Sequence, residues 1–94
     1  MDRIVVWDAA KASANYRKHG IRFEEAALVF DDPFALSVQD RVERGEQRWQ
    51  TIGLVGGMIL LLVAHTVKVG DVEEIRIVSA RRADRKERKR YEDG

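Results

Sequence analysis

His65 and Arg76 could together perform acid–base chemistry. His65 stands near the end of an apolar run, and Gly70-Asp71 separates that run from the next β-rich run. A Gly-first pair between two such runs is typical of a two-residue hairpin turn. Counting outward from Val69 opposite Val72 places His65 directly across from Arg76 on one face of a sheet. The sequence therefore predicts a His–Arg pair.

Such a pair suits cleavage of RNA without a metal ion. An imidazole beside a guanidinium is disfavoured as a cation, so it stays neutral and can accept a proton. The reaction needs a base for the ribose 2′-hydroxyl, a cation for the charge of the phosphorane and an acid for the leaving oxygen. His65, Arg76 and Tyr91 could supply these three roles, and we expect Arg81 at the same site. The alternative for His65 is a half-buried structural histidine.

The charged residues are distributed unevenly along the chain. Residues 1–80 contain ten Lys or Arg and twelve Asp or Glu, whereas residues 81–94 contain seven Lys or Arg and four Asp or Glu. The net charge of the whole chain is +1. A basic tail on a mildly acidic body is typical of a chain that contacts polyanions at one end.

The basic tail is predicted to form a helix. Asp84 and Glu87 have the spacing of a capping box, which predicts a helix from about Arg85. Tyr91 is its only sizeable apolar residue, so the helix must lie on the surface. The expected RNA contacts are Arg82, Arg85, Lys86, Arg88 and Lys89. The alternative is a solvated helix with a few ion pairs.

Lys18 and His19 form a second possible phosphate contact. They stand in the last turn of a predicted helix, where basic side chains also complement the helix dipole, and that structural interpretation is the simpler one. Asp31 and Asp32 precede Pro33, which is typical of helix termination, and no His or Cys stands at ligand spacing. We therefore predict no metal site and no cofactor.

Periodicity and helix caps predict the secondary structure around these residues. An opening strand over 3–7 is followed by a helix from the Asp8 cap to His19 and a short second helix around 23–30. The strand candidates are 35–40, 47–54, 58–69 and 72–79. The expected fold class is α+β, with two N-terminal helices packed on an antiparallel sheet of about four to five strands, followed by the basic helix. We expect one domain over 1–94, with the strand at 58–64 in the centre of the sheet because it is apolar on both faces.

The sequence contains no candidate membrane segment. Its longest apolar stretch, 58–64, is much shorter than the roughly 20 residues that a spanning helix needs. No segment near the start combines a basic region, an apolar run and a cleavage site. We expect no membrane association and a cytoplasmic location.

Several sequence blocks, taken in order along the chain, are similar to those of a known family. In the first half they are Trp7-Asp8-x-x-Lys11, Asn15-x-Arg17-Lys18-His19-Gly20-Ile21, Phe23-Glu24-Glu25-Ala26 and Val29-Phe30-Asp31-Asp32-Pro33. In the second half they are Gly45-Glu46-x-Arg48-Trp49-x-x-Ile52-Gly53, Val63-x-His65-Thr66, Ile75-Arg76-Ile77-Val78-Ser79-Ala80-Arg81-Arg82-Ala83, Glu87-Arg88 and Tyr91-Glu92. The ordered set resembles the BrnT family of bacterial toxins over nearly the whole chain.

The resemblance implies a fold, an activity and partners. It implies a RelE-like ribonuclease fold and a toxin that cuts RNA, inhibiting translation and growth. It also implies a BrnA-type antitoxin that binds the toxin in a 2:2 complex and represses their shared promoter, so that DNA is contacted only indirectly. The alternative is a non-catalytic nucleic-acid-binding or co-repressor module that acts with a partner protein.

Overall fold

The computed structural model of the protein describes residues 2–94, which form a five-stranded sheet and three α-helices. The strands are β1 (Arg3–Trp7), β2 (Leu36–Glu43), β3 (Glu46–Val55), β4 (Ile59–Val69) and β5 (Glu73–Arg82). The helices are α1 (Ala9–His19), α2 (Phe23–Ala26), which continues into a 3₁₀ turn (Ala27–Asp31), and α3 (Arg85–Asp93). Within residues 2–94, no helix is both long enough and apolar enough to cross a membrane.

The sheet has the strand order β1-β5-β4-β3-β2. The pairs β2–β3, β3–β4 and β4–β5 are antiparallel, but β1 runs parallel to β5. The expectation of an antiparallel sheet is therefore wrong at β1. Hairpin turns connect the other neighbouring strands and make them antiparallel. The chain from β1 to β5 instead passes through the helices and the other three strands, so no tight turn fixes the relative direction of β1 and β5. The strand β4 is central, as predicted.

The caps of α1 and α3 lie where the sequence predicts them. The Asp8 carboxylate accepts a 3.0 Å hydrogen bond from the backbone N–H of Lys11, and Gly20 ends α1 with a φ of +70°. At α3, Asp84 and Glu87 each accept a 2.8 Å hydrogen bond from the other's backbone N–H. This reciprocal capping box starts the helix at Arg85, so α3 begins without support from a buried stripe.

The β4–β5 register differs from the predicted one. Val69 pairs with Glu73 and Thr66 with Arg76, because the connecting loop has three residues instead of two. A shift in register by one residue moves a side chain to the other face of the sheet. The predicted pairs Val69–Val72 and His65–Arg76 are therefore wrong. His65 instead pairs with Ile77, next to an irregularity in the ladder.

The two faces of the sheet have different environments. On one, which we call the helical face, α1, α2 and the 3₁₀ turn cover a core that contains Phe23, Ala26, Val29, Leu61, Val63, Ile77 and Ala80. On the other, which we call the open face, Tyr91 of α3 packs against a smaller cluster of Ile52, Leu60 and Leu62. The alternation along the paired strands places Arg48, Thr66, Arg76 and Arg81 on the open face as well.

Candidate nucleic-acid interface

His65 is a buried residue of the helical face. It is 3% exposed and lies edge-on to the ring of Phe30, with 4.9 Å between the ring centroids. Its Nε2 is 2.7 Å from Oγ1 of Thr51, which in turn is 2.8 Å from Oγ of Ser37. Burial lowers the pKa of the imidazole, so His65 is neutral at physiological pH. The side chain belongs to an internal polar chain and is closed off from a macromolecular substrate.

Arg76 lies on the open face, where its side chain is 49% exposed. It lines a shallow groove of about 560 Å³ together with Glu46, Thr66, Lys68 and Glu74. Its Nη2 is 3.7 Å from Oε2 of Glu74, which is an ion pair beyond hydrogen-bond distance. The groove thus presents a guanidinium and a carboxylate side by side to solvent.

Arg48 extends this arrangement across the sheet, although sequence reasoning did not select it. Arg48 pairs with Thr66 across β3–β4, and Thr66 pairs with Arg76 across β4–β5. These three residues form a cross-strand row in which Thr66 separates the two arginines. Neighbouring strands are about 4.8 Å apart, so the two arginine backbones are about 10 Å apart. The signal that could have found Arg48 is its position beside Trp49 in β3, since it must face away from that aromatic residue.

The Nε–H of Arg48 is a buried donor without an acceptor. Within residues 2–94 it has no hydrogen-bond partner, and Oε2 of Glu43 is 3.8 Å away. The indole Nε1 of Trp49, on the helical face, is also buried and has no hydrogen-bond partner within residues 2–94. A buried donor without a partner costs on the order of 1–3 kcal/mol and calls for an explanation such as a ligand or an ordered water.

Arg81 is held by Glu87 of α3. Two hydrogen bonds, from Nη1 to Oε1 at 2.9 Å and from Nη2 to Oε2 at 2.8 Å, form a bidentate pair. This pair raises the pKa of Arg81 and lowers the pKa of Glu87. The guanidinium fork is therefore occupied, and it becomes a phosphate ligand only if Glu87 moves.

Tyr91 anchors α3 to the rest of the fold. Its hydroxyl donates a 2.6 Å hydrogen bond to Oδ2 of Asp32, and Asp32 also accepts from the backbone N–H groups of Leu54 and Phe34. The bond to Asp32 raises the pKa of Tyr91. Desolvation opposes ionisation of Asp32, but its three hydrogen bonds prevail and lower its pKa. Asp32 thus stands at the end of the 3₁₀ turn and links it to α3 and β3, in line with the helix termination predicted at Asp31 and Asp32.

The three predicted catalytic groups do not come together. His65 and Arg76 lie on opposite faces of the sheet. Tyr91 packs against the cluster of Ile52, Leu60 and Leu62, whose β4 members are four and six residues from Thr66 and so about 14–20 Å away along the strand. Of these groups, only Arg76 lies in the groove.

The predicted RNA-binding residues fall on two surfaces. Those of the C-terminal segment are exposed on or beside α3, a helix with no buried residue: Arg82, Arg85, Lys86, Arg88 and Lys89. Lys18 and His19 are exposed at the end of α1, which packs on the helical face. The structure therefore separates these two residues from Arg76.

The chain is similar to proteins of one family. Residues 7–87 match the family model described as "Ribonuclease toxin, BrnT, of type II toxin-antitoxin system". The crystal structure of the Brucella abortus ribonuclease toxin, BrnT, at 1.1 Å resolution has a TM-score of 0.68 and 23% identity, over 90% of this chain and 100% of that one. This likeness shows a shared fold, and a comparison with curated proteins gives no match. Since the family model covers most of the sequence, the chain belongs to the BrnT family of ribonuclease toxins of type II toxin–antitoxin systems.

Proposed function

We propose that this protein is an endoribonuclease toxin that cuts RNA in the groove of its open face without a metal ion. The observation that carries the proposal is the position of Arg76, which stands exposed in a groove beside Glu74 on the face not covered by α1 and α2. Membership of a ribonuclease toxin family supports the reaction class. A guanidinium beside the reacting phosphate can stabilise the negative charge that develops on the phosphorane, which is the task a metal ion performs elsewhere.

The reaction we propose is attack of the ribose 2′-oxygen on the adjacent phosphorus. Glu74 takes the proton of the 2′-hydroxyl, the 2′-oxygen bonds to phosphorus, and the bond from phosphorus to the 5′-oxygen breaks. The 5′-oxygen leaves with a proton from water. The products are a 2′,3′-cyclic phosphate and a 5′-hydroxyl. Glu74 receives the base role because it is the carboxylate that lies 3.7 Å from Arg76 in the groove.

His65, Tyr91 and Arg81 receive supporting roles in this proposal. His65 positions the strand whose next residue, Thr66, faces the groove. Tyr91 holds α3 in place through Asp32. Arg81 supplies a second cation to the RNA after Glu87 releases it.

The basic segment around α3 binds the RNA backbone in this proposal. Its exposed Lys and Arg side chains lie next to Arg81, which is on the open face. Lys18 and His19 form a separate, outlying contact for the same strand of RNA. Phosphate contacts of this kind give affinity and position without reading the sequence.

The proposed partner is a BrnA-type antitoxin in a 2:2 complex, with DNA contacted only through the antitoxin. The family supports an antitoxin partner. Phe34 and Met58 are 77% and 85% exposed, and large apolar side chains in water are typical of surfaces that a protein partner covers. We further propose that the toxin acts in the cytoplasm, that it inhibits translation, and that residues 1–94 form one RelE-like domain.

A second candidate is a nucleic-acid-binding or co-repressor module without catalysis. The separation of His65, Arg76 and Tyr91 favours it, because a general acid and base are expected close to the same phosphate. It predicts strongly salt-dependent binding and intact RNA.

The test is cleavage of a defined RNA by the purified chain in EDTA, followed by analysis of the product ends. The proposal predicts cyclic phosphate ends and no product from an RNA that carries a 2′-deoxy group at the cleavage position. Intact RNA with a folded protein would favour the second candidate.

A further inference from the structure

We infer that Arg48 and Arg76 form a two-arginine clamp that holds one backbone phosphate of the RNA above Thr66. This inference rests on the proposed function for the identity of the ligand. It assigns a positioning role to Arg48, which lies in β3 on the far side of Thr66 from Arg76.

The register places the two arginines at a suitable separation. Both belong to the cross-strand row through Thr66, and both project from the open face. Their backbones are about 10 Å apart, so two extended side chains that lean toward Thr66 can contact opposite sides of a single phosphate. Thr66 is only 7% exposed, so it forms the floor between them.

The unused donor capacity of Arg48 points to a ligand. Its Nε is buried and has no acceptor within residues 2–94. Arg48 also remains 26% exposed, so a part of the side chain is open to solvent. A guanidinium presents donors in a planar fork that matches phosphate oxygens, so a phosphate can bind the part of Arg48 that is open to solvent. The side chain must turn outward for the buried Nε to take part.

Neither arginine of the clamp is held by a carboxylate at hydrogen-bond distance. Oε2 of Glu74 is 3.7 Å from Nη2 of Arg76. Oε2 of Glu43 is 3.8 Å from Nε of Arg48, and it accepts its hydrogen bond from Nε of Arg41 instead, at 2.9 Å. The distances to Arg48 and Arg76 both exceed hydrogen-bond length, so neither side chain is committed to a carboxylate in the free protein.

The first experiment measures binding of a single-stranded 2′-O-methyl RNA, which cannot be cleaved, as a function of salt. Arg48→Ala is expected to weaken binding about tenfold and to reduce the slope of log affinity against log salt by about 0.7, the value for one contact to single-stranded nucleic acid. Arg48→Lys, which keeps the charge but loses the fork, should remain weaker than wild type. Arg17→Ala on the exposed surface of α1 is the matched control and should bind as wild type does.

The second measurement follows the Nε–H signal of Arg48 by ¹⁵N NMR during titration with inorganic phosphate. The signal is expected to shift in the wild-type protein. This measurement uses the wild-type protein, so it tests the clamp even if Arg48→Ala does not fold. An unmoved Arg48 signal, or Arg48→Lys binding RNA as tightly as wild type, would overturn the clamp. Neither result depends on cleavage, so a failure of the nuclease proposal would be recognised separately.

Discussion

Thr66 lies directly across from Arg76, so its neighbour His65 is directed to the opposite face of the sheet. A difference of one residue in the register thus places the buried, neutral imidazole of His65 on one face and the exposed guanidinium of Arg76 on the other. The consequence is that the polar chain around His65 and the groove around Arg76 are different environments, which substitutions can test separately.

Substitution of His65 should change how stability depends on pH. The folded-state pKa of His65 is lowered by burial from the ordinary value of 6.5. Its contribution is therefore fully present above 6.5 and is lost as the pH falls through the lowered folded pKa, because the unfolded chain takes up the proton first. We expect wild type to lose stability as the pH falls below 6.5 and His65→Gln to lose less, as measured by urea unfolding. Equal losses in the two proteins would contradict the assignment.

Tyr91→Phe should loosen α3 without altering the groove. The variant loses the 2.6 Å hydrogen bond to Asp32, while the backbone donors of Leu54 and Phe34 remain. We expect a loss of about 1–2 kcal/mol in the free energy of unfolding and faster hydrogen exchange in α3. Tyr16→Phe, at a half-exposed side chain of α1, is the control. RNA cleavage should persist, whereas its loss from a folded variant would return Tyr91 to the role of general acid.

Gly53→Ala should disturb the contact between β3 and the 3₁₀ turn. A Cβ at Gly53 would lie 2.7 Å from Cβ of Val29 and 2.9 Å from its carbonyl oxygen. Backbone atoms cannot move aside cheaply, so we expect a loss of roughly 1–3 kcal/mol in the free energy of unfolding. Gly70→Ala is the matched control, because its nearest neighbour would be 3.9 Å away. Similar unfolding midpoints for the two variants would contradict the close approach of Gly53 to Val29.

Glu74→Gln tests the proposed base of the reaction. The variant keeps the shape of the side chain but cannot accept a proton, so we expect kcat to fall by roughly 10²- to 10⁴-fold with little change in RNA affinity. The control is Glu73→Gln, since the carboxylate of Glu73 pairs with Arg3 at 3.1 Å, away from the groove. Unchanged kcat in Glu74→Gln would remove Glu74 from the mechanism.

The elements that local signals specify were predictable from the sequence. Asp8 and Gly20 delimit α1, and the Asp84–Glu87 pair starts α3, because caps act over three or four residues. The central position of β4 follows from its apolar residues on both faces. The five strands match the expected number, and each predicted strand overlaps an observed one.

The register and the choice of face depend on contacts that a single sequence does not display. The loop after Val69 has three residues, and a further irregularity follows at Ala64/His65, so counting from a two-residue turn gives the wrong partner for His65. Arg48 was not predicted as a site residue for a related reason. Its importance comes from Thr66 and Arg76 on two other strands, and from helices that cover only the opposite face.

The most direct test of the account compares the cleavage rates of Arg76→Ala and His65→Gln in EDTA, after circular dichroism shows that both variants are folded. Arg76→Ala is expected to lower kcat/KM by at least about 10²-fold, since the groove loses the guanidinium beside Glu74. His65→Gln is expected to stay within about tenfold of wild type, because His65 acts only through packing. Full activity in Arg76→Ala together with an inactive, folded His65→Gln would contradict the claim that RNA is cut on the open face.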